Sequence, residues 1–174
     1  SGETTIKNEK ISGNGLFNIN QPVGSDLHKK FGLLNQVCSG VNIHFTTGRN
    51  EDLDLIAAAG FKWIRMDFTW EKIERIKGTY DWSAYDDLSA NLEKRGLSAI
   101  YILDYSNSLY EKQVDAKDPA TDKDQKNIAA PQHPESVAAF AKWAKASANH
   151  FRKSSIIWEI WNEPDYFSWA PKPD

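Results

Sequence analysis

The segment IIWEIWNEPDYFSW, residues 156–169, decides how the rest of the chain is read. An apolar, strand-forming run leads into Asn162, Glu163 and Pro164, and a second carboxylate, Glu159, stands inside the run. An ionised carboxylate among Ile and Trp is costly unless it is paired, hydrogen-bonded or kept protonated. The placement asks for a chemical task or a packed ion pair, and the preceding sequence bears on which.

Working backward, residues 134–151 (PESVAAFAKWAKASANHF) have helical spacing, with Val137, Phe140, Ala141, Ala144, Ala148 and Phe151 as the expected apolar stripe. Residues 97–105 (LSAIYILDY) read as a strand, residues 81–96 (DWSAYDDLSANLEKRG) as a helix with Tyr85, Leu88 and Leu92 inward, and residues 61–68 (FKWIRMDF) as a strand. Before them lie a helix with Asn50 as its expected N-cap and Gly60 as its stop, and a strand in residues 38–45 (CSGVNIHF). Four strands alternating with helices predict a parallel sheet, and the near-continuous apolar runs AIYIL and IIWEIW suit strands covered on both faces. The pattern alone leaves a doubly wound sheet and a (β/α) barrel both open. The polar residues 106–132 are too long for a neutral connector and read as a lid or binding loop. Residues 1–37 stand outside the alternation and read as an N-terminal extension, a possible β appendage; residues 38–174 form the main unit.

Composition removes several classes. The 174 residues are 40% hydrophobic and 26% charged with net charge −3, and no Lys/Arg cluster predicts a nucleic-acid partner. No apolar stretch is long enough for a membrane span, and no signal peptide is visible. Cys38 stands alone, which excludes an internal disulfide and leaves the compartment open, a secreted or periplasmic setting included. The acidic residues 114–125 lack the glycine and terminal glutamate of a calcium loop, and no phosphate loop, serine elbow or zinc helix is present. Neither a metal nor a cofactor is expected.

Alternation along the strands sorts the polar groups. Trp63, Arg65 and Asp67 share one face of the second strand, and Ile64, Met66 and Phe68 the other. Asn42 and His44 share a face of the first strand, and Ile157, Glu159, Trp161 and Glu163 a face of the fourth. In the third strand either Tyr101 and Leu103 or Ile102 and Asp104 point inward. His44, Arg65, Asp67, Asp104 and Glu163 all fall late in their strands, where a (β/α) barrel builds its active site. A packing network of Arg65, Asp67 and Glu159 would account for part of the same pattern.

The motif IWNEPD, residues 160–165, resembles the Asn-Glu-Pro signature of the clan A glycoside hydrolases, and WIRMDFTWEKIERIKGTYDWSAYD, residues 63–86, resembles their second-strand arginine region. Together, in this order, they most resemble glycoside hydrolase family 39. The resemblance implies an eight-stranded TIM barrel and retaining cleavage of glycosidic bonds in an oligo- or polysaccharide. By position, Glu163 would be the general acid/base, Asn162 would hold the sugar 2-hydroxyl, and Arg65 would support the nucleophile and its subsite. His44 is a further expected substrate contact or else a satisfied barrel histidine, Asp104 and Tyr105 are further expected contacts, and Trp70, Tyr105, Tyr166 and Trp169 follow strand ends as sugar platforms or as packing residues.

Four βα units fall well short of a barrel of about 250 residues. The chain therefore reads as the N-terminal half of a (β/α)8 barrel, whose nucleophilic glutamate would lie in a C-terminal half not contained here. That reading expects the 174 residues alone to be inactive and to associate with the missing half-barrel or with a second copy. The alternative is a half-barrel that binds carbohydrate, or serves only as an assembly fragment, without turnover.

Overall fold

The computed structural model describes residues 39–118, 121–165 and 169–171. The expected N-terminal appendage and Tyr166 lie outside them.

Four parallel strands, β1 (Gly40–Asn42), β2 (Trp63–Thr69), β3 (Ser98–Asp104) and β6 (Ile156–Ile160), form one sheet in the order β1-β2-β3-β6. Helices α1 (Asn50–Ala58), α3 (Ser83–Glu93) and α4 (Pro134–His150) make the successive crossovers, and a single turn, α2 (Trp70–Ile73), continues directly from β2. The expected βα alternation is therefore present as a four-stranded part of a barrel. Among the described residues β1 pairs only with β2, and β6 only with β3.

Register resolves the face of the third strand. Met66 lies opposite Tyr101, and Tyr101 opposite Trp158, so these share the helix-covered face with Ile64, Phe68, Ala99 and Leu103. Asp67, Ile102 and Glu159 align on the other face, and Asp104 lies beside Thr69 one pleat further on. Asp104 therefore faces inward.

The core is aromatic. Phe68, fully buried, has Tyr85 at 4.2 Å, Trp158 at 5.2 Å, Tyr101 at 5.3 Å, Phe151 at 5.8 Å and Trp143 at 5.9 Å between ring centroids. Helix α3 turns Tyr85, Leu88 and Leu92 into this cluster, as its spacing predicts. Helix α1 starts from Arg49 rather than from an Asn50 cap, and no side chain caps it. Gly60 and Gly96, at φ 89 and 65, stop the first two crossover helices in the left-handed conformation that glycine tolerates.

Helix α4 keeps Phe140, Ala144 and Phe151 of its expected stripe and departs from it at Val137. Its buried residues are Ser136, Trp143 and Ser147, with Phe140 and Ala144 packed beside them, while Val137 is 49% exposed. Trp143 sets this rotation by stacking on Trp70 at 5.6 Å. The buried serines are hydrogen-bonded: the Ser147 hydroxyl donates to Trp143 O at 2.8 Å, and that of Ser136 is shared between the Glu111 carboxylate and, at 2.9 Å, His133 O.

The polar residues 106–132, expected as a lid or binding loop, carry secondary structure of their own. They contain an antiparallel hairpin, β4 (Gln113–Lys117) with β5 (Asp124–Ile128), carrying a cross-strand Asp115–Lys126 ion pair. Glu74 anchors the base of this excursion. Its buried carboxylate accepts from Trp70 Nε1, Gly78 N and Tyr110 Oη, each at 2.6 Å, while Asn107 Nδ2 donates to Glu74 O at 2.9 Å.

We expect Glu74→Ala to lower the unfolding free energy by about 3 kcal/mol or more, because three donors lose their acceptor at about 1 kcal/mol or more each. Glu74→Gln should cost less, since one acceptor oxygen remains. Urea unfolding followed by Trp fluorescence measures both, and equal stability of Glu74→Ala and the parent would contradict the anchor. Phe68→Ala should cost about 3–5 kcal/mol in the same assay.

Candidate active site

The polar groups converge at the C-terminal ends of β2, β3 and β6. Arg65 projects from β2 and forks onto Glu159 of β6: Nε donates to Oε2 at 2.8 Å and Nη2 to Oε1 at 2.6 Å. Nη2 also donates to Asn162 Oδ1 at 2.9 Å, and Asn162 Nδ2 donates to Tyr105 Oη at 3.2 Å. One guanidinium thus fixes a carboxylate inside β6 and an amide beyond its end, and the amide passes the link to the loop after β3. The planar fork suits this two-oxygen grip, which a lysine could not reproduce.

The pair is half-exposed, with Arg65 at 31% and Glu159 at 36% side-chain exposure, so water screens it. Arg65 and its hydrogen bonds hold the Glu159 carboxyl below the usual carboxylate range against a smaller opposing effect of burial. The same hydrogen bonds raise the Arg65 guanidinium above its ordinary value. Both stay charged across ordinary pH. Glu159, ambiguous from sequence, is the partner that fixes Arg65 and leaves Asn162 oriented.

Strand alternation does not carry Glu163 into the site. β6 ends at Ile160, Trp161 has φ 61 and Glu163 φ 49, both left-handed values uncommon outside glycine. Such conformations persist where surrounding contacts hold them and cluster at functional positions. Here Trp161 is buried against Phe140 at 5.9 Å, Tyr105 at 5.9 Å and Trp169 at 4.7 Å, with its backbone N donating to Leu103 O. Trp161 is thus a supporting residue that alternation misassigned to the inner face. Glu163 follows it, solvent-exposed, near enough to Tyr105 to act on its titration.

The other expected site residues separate. Tyr105 and Trp169 are half-buried beside Trp161, at the site. His44 is exposed and lines a cavity of about 450 Å³ with Asp67, Thr69, Lys72, Arg75 and Tyr85. Trp70 is not a sugar platform: it is fully buried between Tyr110 and Trp143, because α2 turns it away from the inner face. Asp104 faces inward but is sealed from solvent, so it does not reach a substrate directly. A second cavity, about 320 Å³, lies between Tyr105, Ser106 and Thr69 on one side and Asn127 and Ile128 of the hairpin on the other. The length of the polar segment 106–132 marks it as a lid or binding loop, but the hairpin inside it carries no sequence motif.

Asp104 has no hydrogen-bond donor for either carboxyl oxygen among the described residues, and its near neighbour is the Asp67 carboxyl. Burial, then the Asp67 charge and a hydrogen bond to it, push Asp104 up to about 8 against a smaller lowering effect of Arg65. Burial and the charges of Asp104 and Asp67 likewise push Tyr105 up to about 12. No group of three or more His, Cys, Asp or Glu suited to a metal ion occurs among the described residues.

The family model described as cellulase (glycosyl hydrolase family 5) matches residues 29–171. No curated protein matches the chain. Among solved structures, a family 39 glycoside hydrolase from Bacteroides cellulosilyticus WH2 superposes with TM-score 0.58 at 24% identity, over 73% of this chain and 24% of its own. A GH39 β-xylosidase from Caulobacter crescentus gives TM-score 0.58 at 16% identity, over 78% and 33% of the two chains. The GH39 enzyme from Xanthomonas axonopodis pv. citri gives 0.56 at 18% identity, over 78% and 29%. The chain thus spans about a quarter to a third of the length of these structures, and the likeness is one of fold. The clan A resemblance of the Asn-Glu-Pro and arginine motifs holds, and with the family model spanning both, the chain belongs to the cellulase family, glycosyl hydrolase family 5.

Proposed function

We propose that this chain supplies the acid/base half of a retaining glycosidase active site, with Glu163 as general acid/base and carbohydrate as substrate. The observation that carries the reading is the chain of hydrogen bonds from Glu159 through Arg65 and Asn162 to Tyr105, which fixes Asn162 immediately before Glu163. A glycosidic oxygen leaves poorly unless it is protonated as its bond breaks, and a carboxylic acid can deliver that proton. The second carboxylate, at about 5–5.5 Å across the sugar, would attack the anomeric carbon and form the covalent intermediate. We assign that nucleophile to a complementary C-terminal half-barrel. Glu163, as carboxylate, then takes a proton from the water that releases the sugar.

Asn162 would read the 2-hydroxyl. Its amide is already held on both sides, so little conformational freedom remains to be lost on binding. Tyr105 and Trp169 would bound the sugar, and the cavities walled by His44 and by Asn127 would receive neighbouring units. The exposed Ile157 and Ile160 on β6, at 51% and 72%, support association with the complementary half or a second copy.

The test uses nitrophenyl and dinitrophenyl β-xylosides and β-glucosides, probes suggested by the names of the family and the structural relatives. We expect no turnover by the 174-residue chain alone and turnover by a barrel completed with a C-terminal half. In the completed barrel, Glu163→Ala should lower kcat/KM on nitrophenyl substrates by about 10²–10⁴-fold. Dinitrophenyl substrates, which need little protonation, should suffer less at the glycosylation step, and azide should restore turnover as a glycosyl azide. An unaffected Glu163→Ala enzyme would overturn the assignment. Sugar binding without turnover in the completed barrel would favour the binding-module alternative.

Arg65→Lys should lower kcat/KM in the same barrel by about tenfold or more, equivalent to about 1.4 kcal/mol of lost transition-state stabilisation. Activity equal to the parent would show that the fork does not position Asn162.

A further inference from the structure

Arg65, on the inner face, has three carboxyl groups, Asp67, Asp104 and Glu159, within electrostatic reach. Arg65 spends its fork on Glu159 and Asn162. That leaves Asp67 and Asp104 as neighbours on one face of adjacent strands, Asp104 fully buried with both oxygens lacking a donor. An ionised Asp104 there has no donor among the described residues and is repelled by the Asp67 carboxylate, so both charges together are strongly disfavoured. One proton shared between them removes the repulsion and makes a carboxyl–carboxylate hydrogen bond.

We infer that Asp104 is a positioning residue: by keeping its proton and donating it to Asp67, it leaves Arg65 committed to Glu159 and Asn162. With Asp104 neutral, Arg65 faces two negative charges, Glu159 at hydrogen-bond distance and Asp67 further off. With Asp104 ionised, a buried unpaired charge competes for the same guanidinium. Arg65 is then drawn toward the carboxyl pair, and Asn162 loses the donor that orients it. Asp104 touches no substrate. It acts through Arg65, and this role is independent of whether the site turns over a sugar.

The titratable groups around the pair come from every packed element. Arg65 and Asp67 lie on β2, Glu159 on β6, Tyr105 follows β3, Tyr85 projects from α3, and His44 lines the cavity that reaches Asp67. Both tyrosines are raised, so neither supplies an ionisation in the neutral range. Glu159 is lowered and stays charged. Asp104, pushed up to about 8, is the carboxyl whose loss of a proton falls on the alkaline side.

The experiment is carbon-13 NMR of the aspartate carboxyls in the full chain, with the Arg65 Nε–H signal followed over the same titration. Asp67→Asn and Asp104→Asn supply the assignments. We expect the Asp104 carboxyl to titrate near 8, far above the about 3.9 of a free aspartate, with the Arg65 signal moving at the same midpoint. Asp104→Asn fixes a neutral donor in place, so its Arg65 signal should stay at the neutral-pH position through the alkaline range. Asp67→Asn should move the Asp104 midpoint down by removing the neighbouring charge.

Linkage adds a second readout. A carboxyl raised in the folded state contributes most stability below its unfolded pKa. That contribution declines as pH rises toward the folded value and is flat beyond it. Urea midpoints of the parent should therefore fall from acid to about pH 8 more steeply than those of Asp104→Asn. An Asp104 carboxyl titrating in the ordinary aspartate range would overturn the inference, as would an Arg65 response that survives Asp104→Asn. If Asp104→Asn does not fold, the parent titration and Asp67→Asn still decide: independent midpoints for Asp104 and Arg65 would overturn it.

Discussion

The guanidinium of Arg65 is the constraint on which the candidate site depends. It stands on a central strand, with its stem rising from the inner face and its fork spanning to the edge strand β6. Without it, Glu159 would be a carboxylate facing Asp67 and Asp104 with no cation between them. Asn162 would lose the charged donor to its Oδ1. The left-handed backbone at Trp161 and Glu163 then acquires a reason: it brings Asn162, rather than the next residue of an ideal strand, down onto the fork. Local backbone cost is offset by a charge-assisted hydrogen bond and by burial of the Trp161 ring.

Beneath this polar layer the aromatic cluster around Phe68 supplies rigidity. Strands β2, β3 and β6 and helices α3 and α4 all place aromatic rings there, so the positions of Arg65, Asp104 and Glu159 relative to one another follow from tight packing on the opposite face. Tyr85 connects the two layers. Its hydroxyl donates to Asp67 O at 2.9 Å and accepts from Thr69 N at 3.1 Å, tying α3 to the end of β2. Glu74 does the equivalent for the loops, joining α2 to the segment that carries the hairpin.

Much of this arrangement was legible in the sequence because it follows short-range rules. Period-two alternation placed Arg65, Asp67 and Glu159 on one face, and glycine stops bounded the first two crossover helices. The Asn-Glu-Pro motif marked the end of the last strand. What failed depended on contacts between distant residues. Trp70 follows a strand end, a place that suits a platform or a packing residue, and α2 begins at once and turns the indole into the core. The stripe of α4 holds at Phe140, Ala144 and Phe151 and fails at Val137, because Trp143 and the serines bonded to Glu111, His133 O and Trp143 O set the buried face. The hairpin was hidden because its ladder is held by polar and charged residues, which carry a weak strand signal. Asp104 was ambiguous because Tyr101, Ile102 and Leu103 are all apolar enough for either face, and only register with β2 decides.

The central claim is that the Arg65–Asn162–Tyr105 frame, at the C-terminal end of the parallel sheet, is where sugar is held. The most direct measurement is an NMR titration of the folded chain with xylo- and cello-oligosaccharides, following the Asn162 side-chain amide, the Arg65 Nε–H and the Ser98 and Ser155 amides at the opposite end of the sheet. The account predicts saturable shifts at Asn162 and Arg65 with Ser98 and Ser155 unmoved. Shifts confined to Ser98 and Ser155, or none at Asn162 with either sugar series, would contradict it.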